Sequence, residues 1–132
     1  MKENLQATTA ATHGLQTRRT TIGMDLGDRW SRFCVLDQEG TIVEEDRART
    51  TAVGLEEQFG KREATRIVVE AGTHSPWISR QLESYGHEVV VANARKVRLI
   101  YEGDYKNDRL DARMLARLGR VDVSLLAPIR VW

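Results

Sequence analysis

The chain has one cysteine, Cys34, and two prolines among its 132 residues, and only 6% of it is aromatic. A single cysteine excludes an internal disulfide and suits a reducing compartment. No apolar run approaches the ~20 residues of a membrane span. The N-terminus also lacks the apolar core of a secretory signal, so a cytoplasmic protein without membrane association is expected. There is no P-loop and no GxGxxG. The three histidines, one of them His13 near the N-terminus, lack zinc-ligand spacing, and no serine sits in a nucleophile elbow.

What remains is ordinary for a globular domain: 41% hydrophobic and 30% charged residues, enough for one core and not for two. The net charge of +1 hides an uneven distribution. Residues 93–120 hold eight Lys/Arg against four Asp/Glu, while the rest holds twelve basic against fifteen acidic residues. The C-terminal third is therefore a basic segment.

Residues 1–19 are rich in Thr, Ala and Gln without periodicity and read as a flexible tail. A folded domain is expected over 20–126, with 127–132 beginning a linker. TTIGMDLG reads as a short strand with Ile22 and Met24 on one face and Asp25 near its end. RWSRFCVLD alternates as a second strand, and a turn at Gln38-Glu39-Gly40 leads into TIVEEDRA as a third. A helix over 51–61 precedes the apolar strand ATRIVVEAG, which carries Glu70 at its carboxyl end. Ser75-Pro76 places a capping hydroxyl before a first-turn proline, and Gly86 ends that helix. HEVVVAN is a buried-type strand; a helix over 94–100, a loop YEGDY and a last helix to about Gly119 follow. This order predicts an α/β fold: a three-stranded antiparallel meander plus two parallel strands in a mixed sheet with flanking helices. It is the order of the ribonuclease H-like fold.

The stretch KNDRLDARMLARL, read as the opening of the last helix, holds two aspartates three positions apart. On a helical wheel Leu110, Met114, Leu115 and Leu118 form the apolar face, Asp111 falls inside it and Asp108 lies at its edge. Arg109, Arg113, Arg117 and Arg120 line a neighbouring face. Asp108 read alone is an ordinary N-cap, and Asp111 an ordinary salt-bridge partner for Lys106 or an arginine. An unpaired carboxylate directed at a sheet, however, costs several kcal/mol or takes up a proton. Asp25 and Glu70, each ending an apolar strand, supply company, since these two strands are expected to be neighbours. Four carboxylates at one sheet edge call for divalent cations, and oxygen-only ligands suit Mg²⁺ or Mn²⁺. Such ions serve phosphodiester chemistry. The arginine stripe, with Arg95, Lys96 and Arg98, then offers contacts to a nucleic-acid backbone.

With Asp25, Glu70 and the motif Lys106-x-Asp108-x-x-Asp111-Ala112 in hand, the chain resembles the N-terminal, RuvC-like domain of the DEDD transposases. That insertion-sequence family includes bridge-RNA-guided recombinases and pilin-gene inversion recombinases. The correspondence spans about residues 21–126 and includes Gly23-Met24-Asp25, Val68-Val69-Glu70-Ala71, Gly86-His87-Glu88-Val89, Asn93-Ala94-Arg95-Lys96-Val97 and the run from Asp111 to Arg117. The resemblance implies DNA cleavage and rejoining in transposition. Asp25, Glu70, Asp108 and Asp111 would be the Mg²⁺-binding tetrad, and Arg95, Lys96, Arg98, Lys106, Arg109, Arg113 and Arg117 would contact nucleic acid. It further implies homo-oligomers of the full-length protein, a structured guide RNA in many members, and a second domain with a nucleophilic serine. That domain lies outside this chain, so strand exchange is expected to be incomplete without it. Asn107 departs from the small hydroxyl residue common in relatives. His74 and Trp77, in AGTHSPW, are read as a turn histidine and a packing residue near the site. Two rival readings are an ATP-binding domain of the actin and sugar-kinase type, suggested by IGMDLGDRWSRFCVLDQEG, and a non-catalytic nucleic-acid-binding module.

Overall fold

Alternating side chains give each strand two faces, and this sequence puts hydrocarbon on both. The computed structural model describes residues 20–93, 95–97 and 111–129. Strands β1 (Thr21–Asp25), β2 (Trp30–Leu36), β3 (Ile42–Arg49), β4 (Arg66–Glu70) and β5 (Glu88–Ala92) form one sheet in the order β3-β2-β1-β4-β5. The first three pair antiparallel, while β4 runs parallel to β1 and β5 parallel to β4. The result is the α/β mixed sheet of a ribonuclease H-like domain, meander and parallel pair included.

Helix α1 (Ala52–Phe59) opens at Thr51, whose hydroxyl accepts the Gly54 N–H at 3.0 Å. Helix α2 (Ser75–Ser84) stops before Gly86, whose φ of +96° is one that side chains resist. Ser75 does not cap this helix as its place before proline suggests; His74 holds the cap position. The buried Ser75 hydroxyl instead donates to the Gly72 carbonyl at 2.9 Å and accepts the Gly72 N–H at 3.0 Å. It thereby closes the turn that follows Glu70.

Helix α3 (Ala112–Val121) leads into a 3-10 turn, Val123–Leu126. The helix expected over 94–100 is seen at residues 95–97. Its remaining residues, the tail at 1–19, the loop at 101–105, the expected helix start at 106–110 and residues 130–132 lie outside the described residues.

One face of the sheet carries Ile22, Met24, Phe33, Val35, Ile67, Val69 and Val91 against Leu55 and Phe59 of α1 and Ile78 and Leu82 of α2. The other carries Val68, Val90 and Ala92 against Leu115 and Leu126, with Cys34 and Leu36 beneath Ala116 of α3. Burial of each such large side chain contributes about 1.5–3 kcal/mol. Cys34 belongs to this core, and burial pushes its thiol up from the ordinary range. His87 is buried too, its Nδ1 accepting the Thr65 N–H at 3.2 Å and its Nε2 donating to the Phe59 carbonyl at 2.8 Å. Beyond α3 the chain turns back along β5: Asn93 N–H donates to Leu126 O at 2.9 Å and Ile129 N–H to Val91 O at 3.0 Å. No helix among the described residues is long and apolar enough to cross a membrane.

Candidate metal and nucleic-acid site

In the parallel ladder between β1 and β4, Met24 stands opposite Val69. Asp25 and Glu70, one residue further along and last in their strands, are therefore level with each other on chains roughly 4.8 Å apart. Alternation places both on the face that carries Gly23 and Val68, which is the face covered by α3.

The helix lies unusually close there. A Cβ on Gly23 would collide with the Ala112 carbonyl oxygen and stand 2.5 Å from the Ala116 nitrogen, and one on Gly119 would collide with Val68. Small residues at the contact thus bring the first turn of α3 onto β1 two residues before Asp25. The start of α3 and the ends of β1 and β4 consequently share one end of the sheet.

Asp111 does not sit inside the helix on its apolar face. It is the N-cap: its backbone is extended, its side chain accepts the Met114 N–H at 2.9 Å, and the residue is exposed. A wheel drawn through 106–118 presumes a helix already running at 106–108, and the described helix starts at 112. Capping alone satisfies this carboxylate, so a buried charge does not call for a cation here. What keeps Asp111 in the candidate set is its place, next to the residue that touches Gly23.

Asp108, Arg98, Lys106 and Arg109 lie outside the described residues. Among the described residues, no three His, Cys, Asp or Glu side chains are grouped closely enough to hold a metal ion. Asp25, Glu70 and Asp111 thus share a region without forming a ligand cluster by themselves.

The basic residues divide. Arg95, Lys96 and Arg117 are exposed. Arg113 instead binds Glu45 of β3 through two bonds, Nε at 2.6 Å and Nη2 at 2.8 Å, and the guanidinium holds the Glu45 carboxyl below the usual carboxylate range. Arg120 donates to the Gln38 carbonyl at 3.3 Å. The arginine stripe of α3 therefore faces the meander as much as solvent.

Next to Glu70 a cavity of about 220 Å³ is lined by Leu26, Asp28, His74 and the turn at 71–73. The Trp77 indole N–H, a donor only, gives its proton to His74 Nδ1 at 3.1 Å, which leaves the ring proton on Nε2 facing Asp28 Oδ1 at 3.1 Å. Trp77 packs its ring against the core, as expected from the sequence.

Arg32 and Arg47 escape notice in the sequence. Arg32 stands opposite Asp25 on one side and Arg47 on the other, so a row of Asp25, Arg32 and Arg47 crosses three strands on one face. Counting back from the Gly40 turn, with Leu36 opposite Ile42, would align Arg32 with Asp46; the irregularity between Val35 and Leu36 shifts the register by one and brings Arg47 there instead.

A mixed five-stranded sheet with carboxylates closing two adjacent parallel strands, overlain by a helix start, defines a ribonuclease H-like α/β domain. Residues 22–131 match the family model DEDD_Tnp_IS110, described as a transposase, and the chain belongs to that family. Enzymes of that description act on DNA. No curated protein matches the chain. Among solved structures it is similar to a ROK family protein from Streptococcus pneumoniae TIGR4 in complex with sucrose, at 18% identity and TM-score 0.42, covering 61% of this chain and 36% of that one. It is also similar to the inorganic polyphosphate/ATP-glucomannokinase of Arthrobacter sp. strain KM, at 18% identity and TM-score 0.41, covering 70% and 51%. A Ppx/GppA family member from Aquifex aeolicus matches at 15% identity and TM-score 0.32, covering 63% and 38%. The chain spans between about a third and a half of the length of these proteins. At such TM-scores the likeness carries no argument for nucleotide or sugar binding.

Proposed function

We propose that residues 20–126 form the catalytic RuvC-like domain of a transposase, in which Asp25, Glu70, Asp108 and Asp111 hold Mg²⁺ or Mn²⁺ for phosphodiester cleavage and strand transfer. The chain stays on the sheet past residue 126, where the sequence suggests a linker, since Ile129 N–H donates to Val91 O at 3.0 Å. The observation that carries the reading is the level pair of Asp25 and Glu70, on one face of adjacent parallel strands with α3 starting over them.

The donor set fits hard divalent cations, since every side chain is a carboxylate. When bound, such ions activate an attacking oxygen and stabilise the charge on the leaving one. The chain's own share is positional. Asp25 and Glu70 are fixed by the ladder, Asp111 is fixed by its cap bond, and Arg32, Arg95, Lys96 and Arg117 offset phosphate charge. DNA is the substrate in this reading, and the protein acts in the cytoplasm as a homo-oligomer. A structured guide RNA and a separate serine domain complete the reaction.

The test is thermal melting of the full chain with and without Mg²⁺ or Mn²⁺, alongside metal-dependent nicking of branched DNA. A ligand at 100 times its dissociation constant stabilises the folded form by about 2.7 kcal/mol. Wild type is expected to gain melting temperature on adding metal, and Asp25→Asn and Glu70→Gln to lose that gain together with nicking. Equal gains in wild type and both variants would end this reading.

A further inference from the structure

Trp30 stands opposite Arg49 in the β2–β3 ladder, and two guanidinium carbons lie over its rings: Arg47 at 3.9 Å and Arg49 at 4.4 Å from a ring centroid. Both arginines are exposed, and Trp30 is half-buried. A guanidinium held over an aromatic ring keeps N–H groups of its planar fork for other partners, and that fork can grip a phosphate at two points.

Three acids near this cluster are already engaged. Glu45 is held by Arg113, Glu44 pairs with Arg62 at 2.9 Å, and Asp46 accepts the Arg47 backbone N–H at 2.8 Å. Glu57 lines the adjoining hollow of about 290 Å³. Among the described residues, Arg32, Arg47 and Arg49 make no ion pair with a carboxylate. Exposed cations set side by side on an edge strand present a row of N–H donors to an anion laid across them.

The cluster also has a direction. Strand pairing sets Arg32 beside Asp25 and Arg47 beside Arg32, with Trp30 and Arg49 following on the same face. A polyanion laid along this row reaches the acidic end of β1 and β4.

We infer that Trp30, Arg32, Arg47 and Arg49 form a backbone-binding track that holds a DNA strand as it approaches Asp25 and Glu70. The assignment rests on the proposed function for the direction of the strand, and on charge complementarity for its occupant. Contacts of this kind read phosphates and not bases, so the track is indifferent to sequence.

The test is the salt dependence of DNA binding by the full chain, followed by anisotropy of a labelled branched duplex. Each phosphate contact contributes about 0.9 to the slope of log affinity against log salt. Arg47→Gln and Arg49→Gln are each expected to lower the slope by about that much, and the double variant by about twice as much, on duplexes of unrelated sequence. Arg47→Lys should keep the slope while losing part of the affinity. Arg80→Gln, exposed on α2 across the sheet, should change neither. Melting curves matching wild type establish that each variant is folded.

An unchanged slope in the folded double variant overturns the track, as does absence of DNA binding by wild type. A loss confined to RNA probes overturns the assignment to DNA. Asp25→Asn, assayed in parallel, separates the two proposals. If it loses nicking while the double variant keeps its slope, the track falls and the metal reading stands. If it keeps nicking while the double variant loses slope, the metal reading falls and the track stands.

Discussion

Gly23 of β1 and Ala112 of α3 meet backbone to backbone, with no room for a methyl group between the strand and the helix carbonyl. This contact fixes the height of the helix start above the sheet, and with it the distance from Asp111 to Asp25. Gly23→Ala is expected to destabilise the fold by about 3 kcal/mol, the upper part of the range for overpacking, because both neighbours are backbone atoms that cannot rotate aside. In a domain of this size that is a fall in melting temperature of roughly 10 °C or more. Gly72→Ala is the control, since its added Cβ would meet nothing nearer than the Glu70 carbonyl at 4.0 Å. Calorimetry of both variants checks the contrast. A Gly23→Ala protein that melts like Gly72→Ala would show that the helix does not seat there.

Asp111 has a structural duty as cap and a proposed duty as ligand, and two substitutions pull these apart. Asparagine caps helices about as well as aspartate, whereas alanine costs about 1 kcal/mol. Asp111→Asn should therefore melt near wild type in the absence of metal, and Asp111→Ala lower. Both should lose metal-induced stabilisation. Retention of the full metal response by Asp111→Asn would reduce Asp111 to a cap.

The pair of Glu45 and Arg113 predicts an acid-side effect. The guanidinium bonded to it holds the Glu45 carboxyl below its ordinary value of 4.5. A depressed carboxylate adds stability that is complete above the unfolded value and lost as pH falls through the folded one. The stability difference between wild type and Glu45→Gln should then be full at neutral pH, start to shrink near pH 4.5 and vanish below the lowered value. Urea titrations across that range measure it. Because the pair is solvent-exposed, added salt should narrow the difference. A difference that does not vary with pH would place the effect elsewhere.

The strands were readable because alternation is local. Ile22 and Met24, or Phe33 and Val35, announce a buried face before any partner is known, and apolar runs ending in Asp25 and Glu70 mark strand ends. Pairing of β1 with β4 followed from element order. Asp111 was misread because a helical wheel needs a phase and a starting point, and the Asp108 and Asp111 signals compete for the same cap. The role of Arg113 was not legible at all. An arginine stripe looks solvated until tertiary packing sets Glu45 of another element against it. Arg47 and Arg49 likewise look like ordinary charge on an exposed edge. Only the hairpin register brings Trp30 beneath them.

The chain's return along β5 makes the two margins of the sheet unequal. On that side backbone groups of Val91 and Asn93 are already matched by Ile129 and Leu126. At the opposite margin no described residue pairs with the outer edge of β3, which carries the charged run Glu44-Glu45-Asp46-Arg47. Among the described residues, another polypeptide extending this sheet would meet a partly covered border at β5 and a charged one at β3. Growth by strand addition would then be freer at the margin that carries the arginines.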